Sequence, residues 1–477
     1  MTVRTRVLSV GAAALLVVAC SSTASPAPGS PGRSAGPATA GPIRLVVDTD
    51  MAPDDVTAIT SLARDPRVEL LAITVVGTGE AHCPGGMFVA RSVLTMLDVA
   101  PIPVACGRAT AIGPAQPFPD EWRDGADVAN GLRLAKPNFL TDSRPAEQVL
   151  VDLAATEASA GRTLTILTLG TLTNLADAAS LDPAFPGRVR VVSMLGAIGV
   201  AGNAAPNGEP APTAEWNAHA DPTAVRDVLA AGFDLTLVPL DATRDAPLGR
   251  PLYDQLASDH AAGPADLVYE LWSLNPFMLD GGYDLWDPLA SAVVRDPSIV
   301  SMRATKVRVI EGDGLDGGRL VEDPAGASVT YAISADRSRF EALLLGALRL
   351  GAPRADPFNP VGTISVAAGP GTCDVVAPNP VPRGLVELQL TAAGTEPTQA
   401  LIFGTNGIAW ADIEAFAANP DFDHAPDVQQ FAAAFVDAPG STSAYGNVTE
   451  GPIGIACAIG DFDSATIELR GPFQVAP

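Results

Sequence analysis

The sequence predicts an α/β domain, built on a mostly parallel sheet covered by helices on both faces, followed by a small all-β sandwich. Three observations lead there. Short unbroken apolar runs recur between residues 43 and 239, helical patterns separate them, and the texture changes after "GAPRADPFNP". Strands buried on both faces read as continuous apolar runs, and the helices between them are the crossovers that parallel pairing requires.

In chain order the strand candidates are Ile43–Val47, Val68–Val76, Thr163–Leu169, Val189–Leu195 and Leu235–Pro239. Helices are expected at Asp54–Arg64, Gly86–Asp98, Ala146–Ala160, Leu172–Ser180 and Thr223–Ala231. Folds of this kind bind ligands beyond the carboxyl ends of their strands. From about Val361 onward alternation takes over, in Leu385–Leu390, Ala400–Phe403 and Ala465–Leu469, with one helical patch at Asp427–Val436. Alternation broken by Gly and Pro turns is the pattern of a sandwich. "GDGLDG" (Gly312 to Gly317) matches a dinucleotide fingerprint, but it follows the strand Lys306–Ile310 and no helix pattern follows it. It reads as a hairpin turn.

Ahead of the first strand, Met1 to Ala19 carries Arg4, Arg6 and the apolar run Val7 to Ala19. That run is short for a membrane span and has the layout of a secretory signal. "VVAC" resembles a bacterial lipobox, so Cys20 is the expected lipidated residue, with the chain exported and lipid-anchored to the outer face of the cell membrane. The division expected is a signal peptide over 1–20, a flexible tether over 21–41, a catalytic domain over 42–355 and the sandwich over 356–477. Cys83, Cys106, Cys373 and Cys457 remain, and an even number in an exported chain suggests disulfides. The domain division pairs Cys83 with Cys106 and Cys373 with Cys457; free buried thiols are the other reading. A net charge of −25 argues against a nucleic-acid partner, because binding phosphates takes a basic face. The oligomeric state stays open, a homodimer being one expectation.

"VVDTDMAPDDVTAI" (Val46 to Ile59) crowds Asp48, Asp50, Asp54 and Asp55 at a strand end and the first helical turn. Capping and the helix dipole favour carboxylates there, but mutual repulsion opposes them. A hard divalent cation removes the conflict, since Ca²⁺ takes six to eight oxygen ligands. A solvated acidic helix start is the competing reading.

Four further stretches occur in order: "TLGTLTNLADA" (Thr168 to Ala178), "MLGAIGVAGN" (Met194 to Asn203), "TAEWNAHADP" (Thr213 to Pro222) and "LWDPLASA" (Leu285 to Ala292). With the acidic stretch they resemble the nucleoside hydrolase family over about Pro42 to Ala352. "PFPDEWR" (Pro117 to Arg123) and the pair Trp286-Asp287 look like its purine-preferring, inosine–adenosine–guanosine branch. The resemblance implies Ca²⁺-dependent hydrolysis of the N-glycosidic bond of ribonucleosides, with nucleoside as the small-molecule partner. It implies Ca²⁺ ligands at Asp50, Asp55, Asp287 and the Thr168 carbonyl, with Asp50 also taking a proton from the attacking water. Asp54, Asn203, Glu215 and Asn217 match ribose-holding residues, and Asp48 supports the set. A helix-start role suits Asp221 better than Glu215. Trp122 and Trp286 are expected to stack on the base, and Glu80 falls near the purine branch's acidic residue.

The departures are specific. Ala52-Pro53 stands where many members carry glycine, which marks residue 52 as the place to expect an altered loop. Thr78 replaces a common Asn, and Trp286 replaces a His. Ala52, Pro53, Thr78 and the extra domain motivate the alternative, a nucleoside- or sugar-binding surface lipoprotein without turnover. The C-terminal part resembles cupredoxin-like sandwiches in outline. Blue copper needs two His beside its Cys, and His424 stands alone here, so a copper-free domain is expected.

Overall fold

The unbroken apolar runs become the centre of one sheet. The computed structural model describes residues 41–205, 213–279, 281–354, 358–420, 425–436, 439–460 and 465–476. The leader, Cys20 and nearly all of the tether lie outside them. Strands β1 (Ile43–Thr49), β2 (Val68–Val75), β3 (Val104–Cys106), β4 (Leu164–Thr168), β5 (Val189–Ser193), β6 (Asp234–Leu237), β7 (Val300–Val309), β8 (Leu320–Glu322) and β9 (Ala327–Ala335) pair in the order β3-β2-β1-β4-β5-β6-β9-β7-β8. Pairing is parallel from β3 through to β9, and β7 and β8 add on antiparallel. The segment carrying Gly312 to Gly317 is the β7–β8 hairpin turn, where Val309 pairs with Leu320.

Helices α1 (Pro53–Ala63), α2 (Cys83–Met96), α3 (Asp120–Asp127), α4 (Ala146–Ser159), α5 (Thr173–Leu181), α6 (Trp216–Ala220) and α7 (Pro222–Ala231) connect the early strands. Helices α8 (Leu240–Thr243), α9 (Arg250–Ala257), α10 (Ala265–Leu274), α11 (Trp286–Arg295) and α12 (Arg337–Leu348) complete the layers. Successive residues of β1 point to opposite faces, so Leu45 and Val47 join one buried cluster and Val46 the other. The first cluster packs under α1, α2, α10 and α11, the second under α4, α5 and α7. Strand order reverses between β1 and β4, and the crevice at such a reversal is where open α/β sheets bind ligands.

Beyond residue 358 two four-stranded sheets face each other over a third core. One holds β10 (Gly362–Gly369), β11 (Thr372–Val376), β12 (Gly384–Ala392) and β15 (Gly440–Val448). The other holds β13 (Thr398–Gly404), β14 (Gln429–Val436), β16 (Ile453–Ile459) and β17 (Thr466–Phe473). All neighbours are antiparallel except β10 and β12. Cys373 on β11 and Cys457 on β16 form a disulfide that ties the sheets together, and Cys83–Cys106 forms the second. The helix expected at Asp427–Val436 is instead β14. Alternate residues Ala432 and Ala434 are buried in the sandwich core, and that packing overrides the helical preference of an Ala-rich run. The helix of this region is α13 (Trp410–Ala418).

Pro42 to Pro477 forms one compact unit. At the junction, Arg354 is buried and pairs with Asp266 at 2.6 Å and with Glu270, both on α10. The Phe358 amide donates to the same Asp266 carboxylate at 2.8 Å, and Tyr269 and Tyr445 share a hydroxyl contact of 2.9 Å. Arg354→Ala leaves the buried Asp266 carboxylate without its cation and Glu270 with Arg133 alone. The expected loss is about 3–5 kcal/mol, measured as a lower midpoint in denaturant unfolding; an unchanged midpoint would show that the pairs are dispensable.

Candidate active site

Asp48 lies one residue before the end of β1, between Thr74 of β2 and Thr168 of β4. Its carboxylate accepts from the Thr74 hydroxyl at 2.6 Å and Asn174 Nδ2 at 2.7 Å, and it does not reach the cavity. The chain then turns through Met51, whose φ of 61° is left-handed, a costly conformation for a bulky side chain. Ala52, where the altered loop was expected, has an ordinary φ of −59°. The turn brings the Asp50 amide to Asp55 Oδ1 at 3.2 Å, and Thr49 donates its hydroxyl to the same oxygen.

Asp50 is 3% exposed and its Oδ2 accepts the Glu80 amide at 3.0 Å. Gly79 and Gly170 lie against it so closely that a Cβ on either would meet the Asp50 side chain. Asp54 and Asp55 occupy the first turn of α1, and Asp287 the first turn of α11. Two helix N-termini thus face the cluster with the favourable end of their dipoles. Oxygens of Asp54, Asp55 and Asp287 lie within 4.8 Å of one another. Asp50 adjoins this triad without belonging to it. Asp54 accepts from the Tyr283 hydroxyl at 3.1 Å and from the Asp287 amide at 3.2 Å.

These bonds do not offset burial. Burial pushes Asp54 from 3.8 up to about 7 and Asp55 up to about 6. Asp50 and Asp287 rise well above the carboxylate range, through burial and then through their neighbours' charges. Glu80 rises for the same reasons. Asp55 Oδ2 is buried without a hydrogen-bond partner. Crowded hard oxygens, one of them orphaned, fit a hard divalent cation.

Thr168 does not line the cavity: its carbonyl accepts the Met194 amide at 2.9 Å and its hydroxyl donates to Ser193, both within the sheet. The cavity is lined instead by the next residue, Leu169, whose carbonyl takes Asn217 Nδ2 at 2.8 Å. Glu215 caps α6, accepting the amides of Asn217, Ala218 and Gly196, and burial still lifts it to about 7. Asp221 caps α7 as expected, so both residues serve helix starts. Asn203 accepts the Trp216 amide at 3.1 Å. Thr78 is buried against the hydroxyls of Thr171 and Thr173, away from the cavity.

Asp50, Asp54, Asp55, Glu80, Trp122, Asn203, Glu215, Asn217, Trp286 and Asp287 all line one cavity of about 600 Å³ at the β1/β4 crevice. Sequence reasoning missed part of its aromatic wall: Phe118, Trp216, Phe277 and Tyr283. Trp216 meets Trp122 edge-on at 5.3 Å and Tyr283 meets Trp286 at 4.7 Å. The signal was present, since Trp216 lies between Glu215 and Asn217 and Tyr283 three residues before Trp286. A second cavity of about 520 Å³ lies between α13 and the outer face of the β13 sheet. Gln399 is its only polar side chain among the described residues, so it offers no comparable chemistry.

Carboxylates and π faces lining one cavity suit an α/β enzyme whose small ligand has a polar part and a flat part. A profile of the inosine-uridine preferring nucleoside hydrolase family matches residues 45–342, and the chain belongs to that family. The inosine-uridine preferring nucleoside hydrolase of Leishmania major is 28% identical over 329 residues, 66% of this chain and 100% of the relative. Uridine nucleosidase 1 of Arabidopsis thaliana is 28% identical over 288 residues, 59% of this chain and 82% of its own length. The solved inosine-uridine preferring enzyme of Bacillus anthracis shares the fold with a TM-score of 0.58 at 24% identity, covering 65% of this chain and 100% of its own. A purine-preferring ribonucleoside hydrolase from Gardnerella vaginalis gives 0.53 at 22% identity, covering 64% and 99%. The sandwich lies outside the family match.

The raised carboxylates fix a sign. A group whose folded pKa exceeds its unfolded one stabilises fully below the unfolded value and loses that contribution as pH rises through the folded value. In chelator, the melting midpoint should therefore fall between about pH 5 and about pH 8. Asp54→Asn should flatten the slope; a midpoint that rises across this range would contradict the assignment.

Proposed function

We propose that the chain hydrolyses the N-glycosidic bond of purine ribonucleosides to free base and ribose, with Ca²⁺ at the acidic cluster. What carries this reading is that the carboxylate cluster and the aromatic wall share one cavity in a chain of this family. Asp55, Asp287 and the Leu169 carbonyl would hold the ion together with Asp50. Ca²⁺ supplies positive charge that offsets the carboxylates and polarises a water.

The chain's own residues do the rest. Asp50 has Oδ2 occupied by the Glu80 amide, which leaves Oδ1 to take the proton of the attacking water. The water oxygen bonds to C1′ as the bond to the base nitrogen breaks, through an oxocarbenium-like transition state, and the base leaves with that electron pair and takes a proton from solvent. Asp54, Asn203, Glu215 and Asn217 hold the ribose hydroxyls, and fixing the sugar is where positioning lowers the barrier. Trp122 and Trp286 present flat faces to the base, and Glu80 lines the same cavity. Relatives are named for uridine as well as for inosine and purines, so the purine preference rests on this aromatic wall.

Export and lipid anchoring at Cys20 are part of the proposal and rest on the lipobox-like "VVAC". Labelled palmitate should be incorporated by the full chain in a bacterial host and lost in Cys20→Ser.

The soluble form beginning after Cys20, given Ca²⁺ and a panel of purine and pyrimidine nucleosides, should release purine bases fastest by chromatography. Asp50→Asn should lower kcat by about 10²- to 10⁴-fold with unchanged circular dichroism. Wild-type rates in that variant would remove Asp50 as base. Tight binding with no base released from any nucleoside would favour the binding lipoprotein.

A further inference from the structure

Helix α3 carries Trp122 to the lip of the cavity, yet it is poorly anchored by apolar contact. Of its eight residues only Arg123 and Ala126 are buried, and Trp122 is 46% exposed. One buried alanine and the edge contact of half-exposed Trp122 with Trp216 remove little apolar area from water compared with the entropy lost in ordering eight residues. Something other than the core holds this helix.

Its polar contacts all converge on the loop of residues 77–82 between β2 and α2. Arg123 Nη1 donates to the Gly79 carbonyl at 2.5 Å, Nη2 to the Gly77 carbonyl at 3.0 Å, and Nε to His82 Nε2 at 3.2 Å. With Nε2 accepting, the imidazole proton sits on Nδ1, which donates to Asp127 at the far end of α3 at 2.8 Å. Asp127 also accepts the His82 amide at 2.8 Å. The same loop backs Asp50. The Glu80 amide donates to Asp50 Oδ2, the Ala81 amide donates to the Asp50 carbonyl at 2.8 Å, and Gly79 presses on the Asp50 side chain. The loop is pinned from behind by the Cys83–Cys106 disulfide and by Thr78.

We propose that Arg123 is a positioning residue for the base subsite. It docks α3, and the Trp122 face with it, onto the loop that supports Asp50. A planar guanidinium suits the task, because three donors reach three acceptors that a lysine ammonium cannot span together. The inference rests on the proposed stacking of the leaving base on Trp122, and it goes beyond that reading by assigning what aims the tryptophan.

The test uses the Ca²⁺-supplied soluble chain with Arg123→Ala, Arg123→Lys, Trp122→Ala and the Arg123→Ala/Trp122→Ala pair. KM for inosine should rise about three- to tenfold in Arg123→Ala and in Trp122→Ala, with kcat changed less. The pair should be no worse than the poorer single variant, since Arg123 acts through Trp122. Guanidinium ion added at millimolar level should restore Arg123→Ala towards the wild-type KM and leave Trp122→Ala unchanged. Arg123→Lys, which keeps the charge without the fork, should resemble Arg123→Ala. Hydrogen exchange of residues 120–127 should quicken in both Arg123 variants while the sheet stays protected, and this readout needs no turnover. Additive KM effects, or wild-type exchange over 120–127 in Arg123→Ala, would overturn the proposal. If wild type releases no base, or Trp122→Ala leaves KM unchanged, the catalytic or stacking reading fails, and exchange alone decides whether Arg123 docks the helix.

Discussion

Carboxylates held out of water against one another are the constraint around which the catalytic portion is arranged. Asp50, Asp54, Asp55 and Asp287 are all buried, and burial disfavours the charge of each. Several local features answer that one need. Helices α1 and α11 begin at the cluster, so their dipoles oppose the repulsion. Met51 accepts a left-handed backbone so that the Asp50 amide can face Asp55. Glycines at 79 and 170 let two loops close on Asp50 without side chains in the way. The left-handed Met51 and the two glycines are unfavourable or neutral for folding on their own, which is the mark of a site the fold serves rather than one that serves the fold.

Much of this was readable because it is local. The acidic stretch joins a strand end to a helix start within a dozen residues, and periodicity alone sets both elements. The buried runs of β1, β2, β4, β5 and β6 read correctly for the same reason, since strands covered on both faces carry one unbroken signal. What failed depended on partners far away in sequence. Thr168 and Leu169 differ by one position, and only the ladder to β5 shows that the sheet ends at Thr168. Residues 429–436 are rich in alanine, and pairing with β13 makes them a strand. Phe118, Trp216 and the Phe277/Tyr283 pair of the α10–α11 connection come from three separate segments, so their convergence is a property of topology. Glu215 was set apart from helix capping, yet it caps α6 and also lines the cavity, because a cap buried at a cavity edge keeps its carboxylate beside the ligand space.

The sandwich begins beyond the family match, yet it is packed onto an element that also shapes the cavity. Helix α10 holds Arg354 through Asp266 and Glu270, and its Tyr269 meets Tyr445 of β15. The same Glu270 takes Arg133 at 2.9 Å, just past Asn130 on the cavity wall. At the helix end Asn275 donates to the Asn130 carbonyl at 3.0 Å, and Phe277 follows two residues later. The junction and part of the aromatic wall therefore share one rigid support. Ala129 and Asn130 both adopt left-handed backbone, which persists only where surroundings over-determine it, and α10 is part of those surroundings.

The two ends of the cavity are held by different physics. The carboxylate end is built on strand ends and helix starts whose residues are buried to a few per cent. Displacing any of them would expose core or unpair a buried charge. The aromatic end includes α3, whose outer residues face solvent and whose hold is a handful of polar bonds to one loop. Segments with little buried apolar area and solvent-near hydrogen bonds are the first to open. A site divided this way can change its aromatic part without disturbing its carboxylates. That separation fits a family whose named members differ in the base they are named for while sharing the fold. It also explains why the aspartates were the easiest part of this site to read and the aromatic wall the hardest: the first are fixed by the sheet, the second by what docks against it.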